Sequence, residues 1–214
     1  MSDIYQDRQL EAIASRWDAK AKTWESELEN PACHLNEDAA YERFLGHARS
    51  AIKERPEFCA RNGVIDAGCG TGLVLEEVIS AFDWGMGVDL SPEMLGLARQ
   101  KQIPHATFIL GDCFRLAELC PTAGAVLSRG VLLSHYGLAQ GEALLRAAQA
   151  LLVPGGFILF DFLNASARTR YAHAAEDKTY FAGPEIRFLA HRAGFHTADI
   201  LGETERRVLL LLAE

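Results

Sequence analysis

Val64-Ile65-Asp66-Ala67-Gly68-Cys69-Gly70-Thr71-Gly72 is the stretch that decides the fold. Two β-branched residues run towards an acid, and three glycines then fall at alternate positions. Residues 73–82, opening Leu-Val-Leu-Glu-Glu-Val-Ile, continue as a helix. Strand, glycine turn and helix start together make a physical device. Glycine lacks a Cβ, adopts positive φ cheaply and lets a ligand lie against bare backbone. The helix that follows offers unpaired N–H groups and a positive dipole end. The acid at the strand end faces the same crevice and suits a cationic or hydroxyl-bearing ligand. A glycine turn also ends strands for no chemical reason, so its partners downstream carry weight.

Residues 86–90 read as a second short strand holding Asp89, about one strand–helix–strand unit after Asp66. Ser91-Pro92 then opens a helix, with Ser91 as N-cap and Pro92 at the first helical position. A third strand over 106–110 leads into Gly111-Asp112-Cys113, and a fourth over 124–128 into Arg129-Gly130-Val131-Leu132. A helix over 142–152 stops at Pro154-Gly155-Gly156, and residues 157–162 form a fifth strand. Strands alternating with helices, each strand almost continuously apolar, predict an α/β doubly wound fold with a parallel sheet covered on both faces. Residues 184–192 predict a helix ended by Gly194. Segments 195–201 and 205–213, joined at Gly202, predict an antiparallel hairpin.

Upstream, Leu10, Ile13, Ala14, Trp17, Ala21 and Trp24 recur at helical spacing until Asn30-Pro31 breaks the pattern. A second helix over 37–53 carries Tyr41, Phe44, Leu45, Ala48 and Ile52 on one face. These helices either cover a sheet edge or form a lid whose Tyr5, Trp17 and Trp24 close over a ligand. The expected organisation is a helical cap over 1–60 and a ligand-binding domain over 61–214. Its polar and aromatic insertion, 164–183, includes Tyr171 and His173 and suits substrate binding.

The 214 residues are 49% hydrophobic and 23% charged, which suits one globular domain with a small appendage. A net charge of −8 repels phosphate backbones and argues against nucleic acid as a partner. No apolar run approaches the ~20 residues of a membrane span. The polar N-terminus lacks a signal pattern, so a cytoplasmic location is expected. Five cysteines with no C-x-x-C pair predict free thiols and no metal site.

Residues Asp66 to Gly72 resemble the first motif of the class I S-adenosylmethionine-dependent methyltransferases, and the similarity extends over about residues 60–214. The resemblance implies a Rossmann-like, seven-stranded, mostly parallel sheet whose last strand is antiparallel. It implies S-adenosylmethionine as cofactor and S-adenosylhomocysteine as product. Asp66, Gly68, Cys69 and Gly70 would hold the amino-acid part of the cofactor. Asp89 would hold the ribose, Leu90 would pack on adenine, and Asp112 with the Cys113 backbone would meet the adenine edge. Ser128 and Arg129 would close under the methionine part. An Arg there departs from the aliphatic or acidic residue of the family; it pairs with the cofactor carboxylate or points to the substrate. Two of the acids also read as a helix-flanking residue, Asp89, and as part of a turn-forming Gly-Asp pair, Asp112.

His135 follows the fourth strand where the methyl group should point and is the candidate general base; a capping or packing histidine is the alternative. Trp24, Tyr136 and Tyr171 are candidates for the substrate pocket. The expected activity is methyl transfer to oxygen or nitrogen of a small molecule, by a monomer or homodimer. A catalytically silent S-adenosylmethionine-binding protein is one alternative. A nicotinamide-dependent dehydrogenase is another, but Leu73 stands where its G-x-G-x-x-G fingerprint needs the last glycine.

Overall fold

A computed structural model describes residues 2–29, 39–167, 178–202 and 206–212. Its centre is a sheet with strand order β3-β2-β1-β4-β5-β8-β7. The strands are β1 (Val64–Ala67), β2 (Gly85–Asp89), β3 (Ala106–Leu110), β4 (Ala123–Ser128), β5 (Leu152–Asn164), β7 (Asp199–Leu201) and β8 (Arg206–Leu212). A two-residue strand, β6 (Tyr180–Phe181), lies parallel on the end of β5. Strands β1 to β5 pair in parallel, while β8 runs antiparallel to both β5 and β7. The expected seven-stranded, mostly parallel sheet with an antiparallel last strand is therefore present, with β6 added. From β1 the chain winds out through β2 and β3, then returns to place β4 and β5 on the other side. The order reverses between β1 and β4, and a ligand crevice opens beyond the carboxyl ends of such a pair.

Alternation along the strands feeds two cores. Ile65, Ala67, Val126, Ile158 and Phe160 face one layer; Val64, Ala125, Leu127, Phe157 and Leu159 face the other. The first layer is built on α8 (Leu138–Gln149) and α9 (Gly183–Arg192), through Leu144, Leu145, Ile186 and Leu189. The second rests on α3 (Ala40–Lys53) and α5 (Leu73–Val78), through Phe44, Leu45, Ala48 and Leu75. Helix α3 is thus part of the core layer. Helices α1 (Ser2–Lys20) and α2 (Trp24–Glu29) instead meet α6 (Pro92–Gln100), where Ala21, Trp24 and Met94 are buried together with Trp17 against them.

Several boundaries differ from the sequence expectation, each for a local reason. Helix α5 ends at Val78 and passes into a 3₁₀ turn over Ile79–Ala81. Helix α8 starts one turn earlier than expected, where the Gly137 N–H donates to Gln140 Oε1 at 3.4 Å. Strand β5 starts at Leu152 and runs through Pro154-Gly155-Gly156, because Gly155 takes a φ of 81° and the pairing with β4 shifts register there. Phe195 is buried in the core as a loop residue, so β7 is only three residues long. The expected break at Asn30-Pro31, along with Tyr171 and His173, lies outside the described residues. Among the described residues, no helix is long and apolar enough to cross a membrane.

Candidate functional site

The glycine turn forms the floor of the site. Gly68, Gly70 and Gly72 take φ values of 72°, 52° and 80°, so the left-handed backbone that their spacing suggested is present. The Gly68 and Cys69 N–H groups donate to the Val88 carbonyl at 2.8 and 3.1 Å, which folds the turn over the end of β2. The Gly70 N–H donates to Asp89 Oδ2 at 2.8 Å, and the Ser91 N–H donates to Asp89 Oδ1 at 2.8 Å. One carboxylate thus joins the glycine turn to the start of α6. Ser91 caps α6, its Oγ accepting from the Met94 N–H at 3.1 Å. Beneath the turn, Gly87 admits Cys69: a Cβ there would stand 2.7 Å from Cys69 Sγ and from the Phe108 ring.

The second wall is the segment after β4. Arg129 is 9% exposed, and its guanidinium lies 5.1 Å from the centre of the Tyr41 ring. Gly130 and Val131 follow at φ 106° and 64°, and a 3₁₀ turn over Leu132–His135 then presents Leu132 and His135. The roof is α1 with the first residue of α2. Trp17 meets Trp24 edge to face at 5.2 Å and stands 6.4 Å from the His135 ring. Asp18 fastens this roof, its Oδ1 accepting from Ser91 Oγ at 2.5 Å and from the Glu93 N–H at 3.2 Å.

Floor, wall and roof line one partly open cavity. Its lining includes ten of the residues singled out from sequence: Gly68, Gly70, Asp89, Leu90, Cys113, Arg129, His135, Trp17, Trp24 and Tyr136. Asp66, Cys69, Asp112 and Ser128 are outside the lining. Asp66 and Ser128 are buried at strand positions behind the turns. Asp112 caps the turn over Cys113–Arg115 by accepting from the Phe114 N–H at 2.9 Å. Of the three acids expected to line one crevice, only Asp89 does so. Met94, Gly130, Leu132 and Ile13 line the cavity without having been singled out as site residues. For Met94 the Ser91-Pro92 cap signals a place in the first turn of α6 but not the side that it faces. Leu132 had no signal beyond its apolar character.

The electrostatics favour a cation. Burial first, and the Asp89 charge second, push the Asp66 carboxyl up from 3.8 to about 8. Asp89 is also raised by burial, with the Ser91 and Gly70 N–H groups opposing the shift. Burial holds the Cys69 and Cys113 thiols and the Tyr136 phenol well above their ordinary ranges, which leaves all three uncharged. Asp66 Oδ2 and Ser128 Oγ have no hydrogen-bond partner among the described residues. Buried acceptors rarely stay unpaired. Here they stand beside a glycine floor whose missing Cβ atoms leave room: one on Gly70 would lie 3.8 Å from Trp24 Nε1, and one on Gly68 3.7 Å from a Leu132 methyl. An ammonium- and hydroxyl-bearing nucleoside such as S-adenosylmethionine fits these acceptors.

Residues 64–156 match a family model described as a methyltransferase domain. A ubiquinone biosynthesis O-methyltransferase of Paraburkholderia xenovorans (strain LB400) is 27% identical over 157 residues, covering 65% of this chain and 66% of that protein. One of the same description from Paraburkholderia phytofirmans (strain DSM 17436 / LMG 22146 / PsJN) is 24% identical, covering 94% and 87%. Among solved structures, magnesium protoporphyrin IX methyltransferase from Synechocystis PCC 6803 with bound SAM superposes with a TM-score of 0.73. It shares 16% identity, over 96% of this chain and 97% of that one. An amino pentose methyltransferase from Micromonospora echinaspora, also with SAM bound, gives 0.68 at 20% identity over 84% and 94%. At these identities the solved structures speak for the fold.

Proposed function

We propose that this chain, which belongs to the class I S-adenosylmethionine-dependent methyltransferases, methylates an oxygen or nitrogen of a small organic molecule. The observation that carries the proposal is the roofed cavity, whose lining brings the glycine floor and Asp89 together with His135, Trp17 and Tyr136. S-adenosylmethionine supplies a methyl group on a sulfonium, which a nucleophile takes by in-line displacement.

The chain's own residues hold, orient and exclude water. The Gly68 and Gly70 backbone, with Asp66 behind it, receives the amino-acid part of the cofactor, and Arg129 meets its carboxylate. Asp89 keeps acceptor capacity after binding two N–H groups, because a carboxylate has about four lone-pair sites. That capacity serves the ribose hydroxyls. Leu90 and the Cys113 backbone border the base, while Asp112 and Ser128 stand behind the lining and support it. His135 takes the proton from an acceptor hydroxyl or ammonium. Trp17, Trp24 and Tyr136 shut out water, and holding two reactants in line this way is worth up to ~7–11 kcal/mol of barrier.

A small acceptor suits a site beneath a helix, where a polymer would have to displace α1. The negative charge of the chain opposes a nucleic-acid acceptor. The O-methyltransferase descriptions of the curated relatives favour oxygen, and a sugar N-methyltransferase among the solved structures keeps nitrogen open. The test is a metabolite extract incubated with methyl-labelled S-adenosylmethionine. Label in a compound of low molecular mass is the expected result. Label confined to protein or nucleic acid refutes the small-molecule reading.

A further inference from the structure

We infer that Asp161 is a positioning residue for this reaction, and that it works by clamping a strained turn that forms one wall of the site. Strand β4 stops at Ser128, paired with Phe160, whereas β5 continues to Asn164. Asp161 is the first residue of β5 beyond that pairing, and it is 3% exposed. Its Oδ2 accepts from the Gly130 N–H at 3.1 Å and its Oδ1 from the Val131 N–H at 2.5 Å. Both donors are consecutive residues in left-handed conformation, with φ values of 106° and 64°. Consecutive N–H groups in such a turn converge on one point and form an anion-binding nest. Here the anion is a side chain of the protein itself.

Gly130 takes this conformation freely. Val131 does not: a β-branched residue at positive φ is strained and persists only where its surroundings over-determine it. Asp161 provides that determination. The residues presented by the turn are Arg129, Gly130 and Leu132 directly, and His135 through the 3₁₀ turn that follows, all four in the cavity lining. A second tie lies further along β5. The Leu163 N–H donates to Ser134 Oγ at 2.9 Å, and the Thr179 N–H donates to the Ser134 carbonyl at 2.7 Å. This wall is therefore fastened to β5 at two buried points, and Asp161 holds the strained one. Asp161 does not line the cavity, so its effect passes through the backbone that it orders.

The inference rests on the cavity being the cofactor site, and the probe is S-adenosylhomocysteine. Wild type, Asp161→Asn, Asp161→Ala and the Val131→Gly derivative of each are titrated calorimetrically, alongside thermal melts. Asparagine keeps the volume but turns an N–H₂ towards N–H donors. Loss of the clamp releases a strained residue, and affinity is expected to fall about tenfold to a hundredfold in both single variants. Glycine at 131 adopts positive φ without help, so it should bring affinity back to within about fivefold of wild type. A residue that only supported the fold would gain no such rescue, and a melting temperature still lowered in the rescued protein separates the two roles. Should Asp161→Ala fail to fold, the asparagine pair carries the comparison. Wild-type affinity in Asp161→Asn overturns the inference, as does failure of Val131→Gly to restore binding. A wild-type protein that does not bind S-adenosylhomocysteine refutes instead the cofactor-site reading beneath it.

Discussion

Asp66 gives the sharpest prediction, because its protonation is legible in stability before any acceptor is known. The carboxyl is buried behind the glycine turn with one oxygen unpaired, and it titrates near 8 in the folded protein against 3.8 for the free group. The folded state therefore holds a proton that the unfolded chain has released. The stabilisation from neutral Asp66 is complete below about pH 4 and is lost as pH rises through about 8. Inside that window a full proton difference is worth about 1.4 kcal/mol per pH unit. Between about pH 5.5 and 7.5 this sets an upper figure of roughly 2–3 kcal/mol lost. Asp66→Asn keeps the shape and removes the proton. The assay is urea unfolding of both proteins at each pH. Relative to wild type, the variant should gain about 2 kcal/mol on going to the higher pH. A difference constant within about 0.5 kcal/mol refutes the reasoning, since Asp66 would then be charged in the folded protein throughout.

Asp89→Ala should weaken S-adenosylhomocysteine binding by roughly 1–3 kcal/mol, because it strips acceptors from the ribose and from the Gly70 and Ser91 N–H groups; calorimetry giving wild-type affinity removes Asp89 from that role. His135→Ala should slow turnover of the labelled acceptor about 10²–10⁴-fold while leaving S-adenosylhomocysteine affinity alone, and unchanged turnover rejects it as the base. Gly87→Ala drives a methyl to 2.7 Å from Cys69 Sγ and the Phe108 ring, so thermal unfolding should report a loss of about 1–3 kcal/mol; an unshifted melt would mean that the turn gives way freely.

The fold was legible where local chemistry and tertiary structure agree. The Ser91-Pro92 cap, the glycine spacing and the apolar strands each have a cause within a few residues, and each is present as expected. Boundaries were missed where a segment distant in sequence decides them, as at Pro154-Gly155-Gly156, which pairing with β4 draws into a strand. In the site, the wall positions next to glycines were readable because glycine spacing reports backbone shape. The depth of each acid was not. Strand alternation puts Asp66 on the side of Val64, in the layer that holds α3 and α5. Only packing reveals that this side is sealed. Asp18 meets Ser91 across 73 residues, a contact for which no periodicity exists.

Asp89 and Asp161 show the same limit from the other direction. The crevice lies between β1 and β4, the two inner strands, and each of these ends in a turn that must keep an unusual backbone. Each turn is held from the neighbouring outer strand. Asp89, ending β2, accepts from Gly70 and Ser91; Asp161, on β5, accepts from Gly130 and Val131. A glycine turn needs little restraint to reach positive φ, so Asp89 is left with acceptor capacity for a ligand. The turn after β4 contains a valine, and its acid is spent on backbone alone. The first clamp belongs to a motif and could be read from spacing. The second is 30 residues from its partner and is announced by nothing in the sequence. It is visible only because β5 outruns β4. For two walls of one cavity, then, equal structural need left very unequal traces in the sequence, and the quieter wall is the one that carries Arg129 and His135.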